Sequence, residues 1–212
     1  MKVGLIGTGR LAGVLGERWA KAGHEVMVGS RDPERGAALA ARLGNGSLHG
    51  TTREAAAHGD AVFLSVLWKD VPAALEAAGA ADGVLAGKAL LDPVNPVEVQ
   101  NFTLVSGPTS AAEQIQEQAV GAHVVKAFNL CHMDVWSMEP VEFDGRPLMM
   151  PYAGDDPGAK ALAAQLAADL GCRPLDLGPL HQARHLEAMA AIVIGQLYTG
   201  APARTVLNFV TA

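Results

Sequence analysis

The chain has 212 residues, at the upper end for one domain, and is 50% hydrophobic and 18% charged, which is enough apolar content for a sizeable core. A net charge of −6 argues against a general nucleic-acid role and leaves any anionic ligand to be held by local cations. No apolar run reaches the ~18 residues of a membrane span; the first strand opens at Lys2, leaving no room for a leader, and Cys131 and Cys172 read as reduced thiols, so the expectation is a cytoplasmic protein that does not enter a membrane.

In chain order, "KVGLIG" is a buried strand with a glycine stop, and "RLAGVLGERWAKAG" is a helix ending at Gly23. "HEVMVG" is a second strand, and "DPERGAALAARLG" is a helix with Pro33 in its first turn. "TTREAAAHG" opens with a capping box from Thr51 to Glu54, "DAVFLSVL" is a third strand, "KDVPAALEAA" a helix, and "KALLDPVNP" a strand running into a proline-rich turn. "SAAEQIQEQ" is a helix capped by Ser110 and Glu113; "AHVVKAFN" and "PLMMPYAG" are strands on either side of a loop, Glu139 to Pro147, that marks a change of sheet order or a hairpin. "DPGAKALAAQLAADLG" is a helix, "CRPLDLG" a strand, and residues 181–198 form a last helix that is apolar on most of its circumference. Alternation of short apolar strands with helices predicts an α/β fold: a Rossmann-like, doubly wound, mostly parallel sheet with a C-terminal helix, in one domain spanning 1–212. That final helix covers the sheet or a dimer interface.

The turn after the first strand reads Gly7-Thr8-Gly9-Arg10-Leu11-Ala12, a G-x-G-x-x-A pattern. The first glycine permits the tight turn, the second lets a pyrophosphate approach the backbone, and the small Ala12 lets the helix pack close to the strand. The helix N-terminus adds free N–H groups and a partial positive charge. Its position between a strand and a helix makes the pattern a dinucleotide-binding fingerprint.

An NAD site places a carboxylate about 20 residues further on, for the ribose 2′-hydroxyl. Here that distance brings Ser30 and Arg31, with Arg35 one helical turn beyond. A hydroxyl and a guanidinium suit a 2′-phosphate, which a carboxylate would repel, so NADP is the expected cofactor. Asp32, before Pro33, is better placed as a helix N-cap; were it to reach the ribose instead, the preference would invert.

From here the sequence resembles a known family, the coenzyme F420-dependent NADP oxidoreductases. The resemblance runs nearly end to end and is carried by "KVGLIGTGRLAG", "GHEVMVGSRDPE", "VFLSVLWKDV", "LLDPVNP", "TSAAEQIQ", "VVKAFN", "YAGDDPGAKALAAQL" and "DLGPLHQARHLEAM". It implies a single Rossmann-like domain, usually dimeric, that moves a hydride between NADPH and a deazaflavin. It also implies that Thr8 to Leu11 line the pyrophosphate, that Ser30, Arg31 and Arg35 hold the 2′-phosphate, and that Val66 and Leu67 end a strand beside the nicotinamide half. The chain departs from the family at Arg10, where Asn is frequent, and at Asn129, where some archaeal members carry His near the deazaflavin. It also lacks segments those members use around the second cofactor.

In an open α/β sheet the ligand lies beyond the carboxyl ends of the strands. The candidates there are Ser65, Val66, Leu67 and Trp68; Asp92 to Pro96, with Asn95 foremost; Lys126 to Asn129; and Gly178 to Leu180, including Pro179. Trp68 is a stacking platform for an acceptor ring or a cap on the core edge. Asn95 is a ribose or acceptor ligand or a turn former, and Asn129 an acceptor contact or a loop residue. Asp92 reads best as a strand-end cap and Lys126 as a solvated or paired edge residue. Gly178 and Pro179 shape the cleft floor or a plain turn. A ring acceptor needs distance and orientation rather than an acid or base, so no catalytic side chain is assigned. His181 and His185 have ligand spacing without an evident third partner, so no metal is expected, and the adjacent Cys131 and His132 do not form a nucleophile–base pair. The leading expectation is hydride transfer from NADPH to coenzyme F420 or a flavin-like ring. The alternatives are an NADPH-binding redox sensor, or a reductase of a small imine or ferric chelate.

Overall fold

The computed structural model of the protein describes residues 1–210. Its elements follow one another as β1 (Lys2–Ile6), α1 (Arg10–Lys21), β2 (Glu25–Gly29), α2 (Pro33–Leu43), β3 (Leu48–Gly50), α3 (Thr52–His58), β4 (Ala61–Leu64), α4 (Val71–Ala78), β5 (Ala89–Asp92), β6 (Val97–Glu98), β7 (Thr103–Leu104), α5 (Ala111–Gln118), β8 (His123–Lys126), α6 (Met133–Trp136), β9 (Glu142–Phe143), β10 (Arg146–Pro147), β11 (Met149–Gly154), α7 (Pro157–Ala168), β12 (Arg173–Asp176) and α8 (Ala183–Tyr198). Four of the helices start where a Ser, Thr or Asp side chain satisfies their first N–H groups. Asp32, Asp156, Thr51 and Ser110 each accept from the first turn they precede, the last two in complete capping boxes.

Eight strands form one sheet in the order β12-β11-β8-β5-β4-β1-β2-β3. The six from β8 to β3 are parallel, and β1, β4, β5 and β8 are largely buried because both faces are covered. The Glu139 to Pro147 stretch holds the small β9–β10 hairpin, after which the chain re-enters the sheet reversed: β11 is antiparallel to β8, and β12 follows it in parallel. The short β3 is an element that the sequence pattern does not announce. The last helix begins as a 3-10 turn at Leu180–Gln182 and becomes α-helical only at Ala183.

One face of the sheet packs α1, α2, α6 and α7 around Trp19, Phe63 and Phe128, whose rings meet edge to face at 5.3–6.0 Å. The Trp19 indole N–H donates to the carbonyl of Leu166 at 3.1 Å, so this core also fixes α1 against α7. The other face packs α3, α4, α5 and the start of α8 over Val62, Leu64, Leu90 and Val124. Among the described residues no helix is long and apolar enough to cross a membrane.

Candidate functional site

A cleft of about 1260 Å³ opens at the carboxyl ends of β1, β2, β4 and β5. This is where a doubly wound sheet leaves an unfilled crevice. The glycine loop forms one wall. Gly7 has φ +109°, and a Cβ there would sit 2.3 Å from the carbonyl oxygen of Ser65, so the turn requires a residue without a side chain. Gly9 differs: its backbone is ordinary extended chain at the N-cap of α1, and a Cβ would meet nothing within 4 Å. That open space lies directly over the N–H groups of the first helical turn, which carries no acidic side chain.

At the end of β2, Ser30, Arg31, Asp32 and Arg35 all line the cleft. The Asp32 carboxylate is committed to its own helix: Oδ1 accepts from the N–H groups of Glu34 at 3.0 Å and Arg35 at 3.2 Å. The Ser30 hydroxyl oxygen accepts from the Asp32 N–H at 3.1 Å, which leaves its proton free to donate outward. Arg31 and Arg35 are exposed and, among the described residues, have no carboxylate partner. The result is a corner with two free guanidinium groups beside an acid whose Oδ1 caps its own helix.

The other half of the cleft is mostly apolar, with Asp70 and His132 among its polar lining residues. Ser65, Val66, Leu67 and Trp68 line it from the end of β4, and Pro93, Val94 and Asn95 form its floor. Val97 and Val99 rise from the β6 segment, His132 and Met133 from the start of α6, and Ile194, Leu197 and Tyr198 from the last turns of α8. Tyr198 is 66% exposed and leans on Phe102, with ring centroids 5.7 Å apart. The β6 segment, α6 and α8 were not among the sequence-derived candidates. The one sequence cue to the α8 wall is a helix that stays apolar beyond the face its sheet can bury.

Thirteen of the expected positions, from Gly7 through Trp68 and including Asn95, come together on this cleft, and four do not. Asn129 is only 6% exposed and lies behind the floor; its amide donates to Asn95 Oδ1 at 2.9 Å and to the Leu186 carbonyl at 3.1 Å, while Asn95 donates back to the Asn129 carbonyl at 2.7 Å. Pro96 is buried under the same loop. Gly178 and Pro179 are displaced for a topological reason. Because β11 and β12 run against the other strands, the carboxyl end of β12 points to the amino end of the parallel set, and Gly178 is tied there to Gly154.

Lys126 also departs from expectation. It is paired, but β8 is an interior strand and Lys126 is 0% exposed. Its ammonium group lies 2.9 Å from Asp92 Oδ2 and 2.9 Å from Glu187 Oε1, both carboxylates equally buried, and it also donates to the Val94 carbonyl. The signal was a lone lysine in an otherwise apolar strand, since a charge placed there must find partners inside. Burial pushes the Cys131 thiol up to about 12, away from the reactive thiolate. Among the described residues no group of three or more His, Cys, Asp or Glu side chains is arranged to hold a metal ion.

Residues 2–96 match the family model described as NADP oxidoreductase, coenzyme F420-dependent. The chain is 32% identical over 188 residues to the metalloreductase STEAP3 of Rattus norvegicus, a match covering 89% of this chain but only 36% of that longer protein. It is 30% identical to the F420-dependent NADP reductase of Methanothermobacter thermautotrophicus over 92% of this chain and 88% of the relative. A crystal structure of a putative F420-dependent NADP reductase from Arthrobacter sp. FB24 superposes with a TM-score of 0.82 at 29% identity, over 96% of each chain. The glycine turn, the two free guanidinium groups after β2 and the end-to-end likeness to the Methanothermobacter reductase lead to one conclusion: this chain belongs to the coenzyme F420-dependent NADP oxidoreductase family.

Proposed function

We propose that the protein transfers a hydride between NADPH and a deazaflavin, coenzyme F420, or a flavin-like ring. The observation that carries the cofactor half is that Asp32 serves as a helix cap through Oδ1, beside Ser30, Arg31 and Arg35 as the groups offered to a 2′-phosphate. A pyrophosphate fits the open space over Gly9 and the free amides of α1, and the carboxamide end reaches Ser65, Val66, Leu67 and Asn95. Bound NADPH supplies the hydride, two electrons and one proton's mass delivered as a unit. The protein's part is to hold two rings in register and exclude water. Trp68, Val97, Val99, Leu197 and Tyr198 offer an apolar bed for the second ring. His132 also lines this half, its Nδ1 3.5 Å from Asp134 Oδ2, but hydride acceptance by a ring calls on neither group.

The likeness to a metalloreductase supports a second reading, in which electrons from NADPH reach a ferric chelate. The chain spans about a third of that relative, so the comparison covers one part of a larger protein. The reading includes a cytoplasmic homodimer, which is consistent with two free cysteines and with exposed Val99, Ile192 and Tyr198 around the α8 side of the cleft. The deciding experiment follows the loss of reduced-nicotinamide absorbance with F420, FMN, FAD and ferric chelates in turn. Turnover with F420 is expected. Turnover with FMN but none with F420 moves the acceptor, and tight NADPH binding with a change of assembly and no oxidation of any kind makes the protein a sensor.

A further inference from the structure

The buried Lys126 cluster lies directly beneath the cleft and is not needed to build a sheet. Three segments far apart in sequence meet in it. Asp92 ends β5, Lys126 ends β8, and Glu187 sits one turn into α8. Each group has a second task. Asp92 Oδ1 accepts from the Val94 N–H at 2.8 Å, and Lys126 donates to the Val94 carbonyl, so both sides of that one residue are held. Glu187 accepts from the N–H groups of Ala111 at 3.0 Å and Ala112 at 3.2 Å, closing the N-terminus of α5. The residue after Val94 is Asn95, the single amide on the cleft floor. Its side chain is held in turn by Asn129, whose amide also reaches the carbonyl of Leu186, the neighbour of Glu187. Phe128, with φ +62°, turns the chain after β8 so that Asn129 meets Asn95 rather than the sheet.

An apolar trio would fill this space at lower desolvation cost, since a buried charge cluster is poor evidence of stability in itself. What the cluster does uniquely is link the floor loop to α8, whose far end walls the acceptor side. We propose that Lys126, with Asp92 and Glu187, is a positioning device that sets the Asn95 amide for the nicotinamide-ribose end of the cofactor and fixes the α8 wall against it. None of the three touches the cleft, so they act through Val94, Asn95 and Asn129. The inference rests on the NADPH reading above, but its test does not need turnover.

Two probes separate the ends of the cofactor: NADP+, and adenosine 2′-phosphate 5′-diphosphate, which lacks both the nicotinamide and its ribose but keeps everything offered to the glycine loop, Ser30, Arg31 and Arg35. In titration calorimetry, Lys126→Met, Glu187→Gln and Asn129→Ser are each expected to weaken NADP+ by about fivefold to tenfold, the scale of a misplaced hydrogen-bond partner, while adenosine 2′-phosphate 5′-diphosphate stays within about twofold. The double variant Lys126→Met with Asn129→Ser is expected to be no worse than the poorer single one, because both act on the same amide. Should Lys126→Met fail to fold, Glu187→Gln and Asn129→Ser decide, since neither leaves a new unpaired cation. Equal weakening of both probes, no change in either, or additive losses in the double variant would overturn the proposal. If no acceptor is reduced while the two probes still separate, the function is wrong and the positioning role stands.

Discussion

The two halves of the cleft are built by different means. The half proposed for the adenosine phosphates comes from one contiguous segment, residues 2–35, in which a strand, a glycine turn, a helix, a second strand and a capped turn follow one another. Its recognition elements are backbone amides and side chains within a turn of each other. The nicotinamide and acceptor half draws on the ends of β4 and β5, the β6 segment, α6 and α8, and is braced by charges brought together from positions 92, 126 and 187. Local chain geometry dictates the first half, whereas long-range packing dictates the second. Mutations should therefore fail differently in the two.

The sharpest contrast lies within the glycine turn itself. Gly7→Val places a branched side chain at φ +109° and drives its Cβ into the Ser65 carbonyl at 2.3 Å. The expected cost exceeds about 2 kcal/mol and is read as a large drop in melting temperature. Gly9→Ala has room and an ordinary backbone, so it costs at most about 1 kcal/mol, the penalty of a poorer N-cap. Its new methyl nevertheless occupies the pyrophosphate approach, and NADPH affinity should fall by at least about tenfold. A Gly9→Ala protein that melts normally and binds NADPH normally removes the cofactor from this turn.

Next in size is Arg31→Ala. A charge-assisted bond contributes roughly 1.5–3 kcal/mol, so the KM for NADPH should rise about tenfold or more while that for NADH barely moves. Equal losses for both cofactors would place Arg31 away from the 2′-phosphate. On the acceptor side, Leu197→Ala and Tyr198→Ala trim the apolar wall of α8. Loss of about 1 kcal/mol of apolar contact raises the acceptor KM by about fivefold and leaves NADPH affinity alone. A change in NADPH affinity instead would mean that the two halves are not separable.

How far the sequence alone reads follows the same division. Gly7, Gly9, Ser30, Arg31 and the Asp32 cap are legible because the physics behind each is local: a φ sign, a missing Cβ, a carboxylate two residues from the N–H it accepts. Asn95 is legible as a strand-end residue. Asn129, Gly178 and Pro179 are misplaced because each position depends on strand direction or on a neighbour far along the chain. A run such as "PLMMPYAG" does not say whether it joins the sheet forward or reversed, and reversal carries the end of β12 away from the cleft. Lys126 shows the same limit: read as a solvated or paired edge residue, it is fully buried in an interior strand, because its place and its partners depend on which strands and helices come to lie beside it.

The smallest effect tests where the two kinds of construction meet, at the N-terminus of α5. Glu113 accepts from the Ser110 hydroxyl at 2.6 Å and from the Ser110 N–H at 2.8 Å, a local cap, while Glu187 closes the same turn from a distance. The Ser110 hydroxyl, and then its N–H, hold the Glu113 carboxyl below the ordinary carboxylate range. A carboxylate whose folded pKa is depressed contributes stability that is complete above its unfolded value, roughly 4.3, and is lost as pH falls through the folded value. Glu113→Gln should therefore lower stability by up to about 1 kcal/mol at neutral pH, with the gap to the wild-type melting temperature closing as the solution is acidified below that range. NADP+ affinity should stay unchanged, because the floor loop is held through Glu187 and not through the local cap. If Glu113→Gln weakened NADP+ as Glu187→Gln is expected to, the start of α5 as a whole, rather than the buried lysine cluster, would be what sets the nicotinamide end of the cleft.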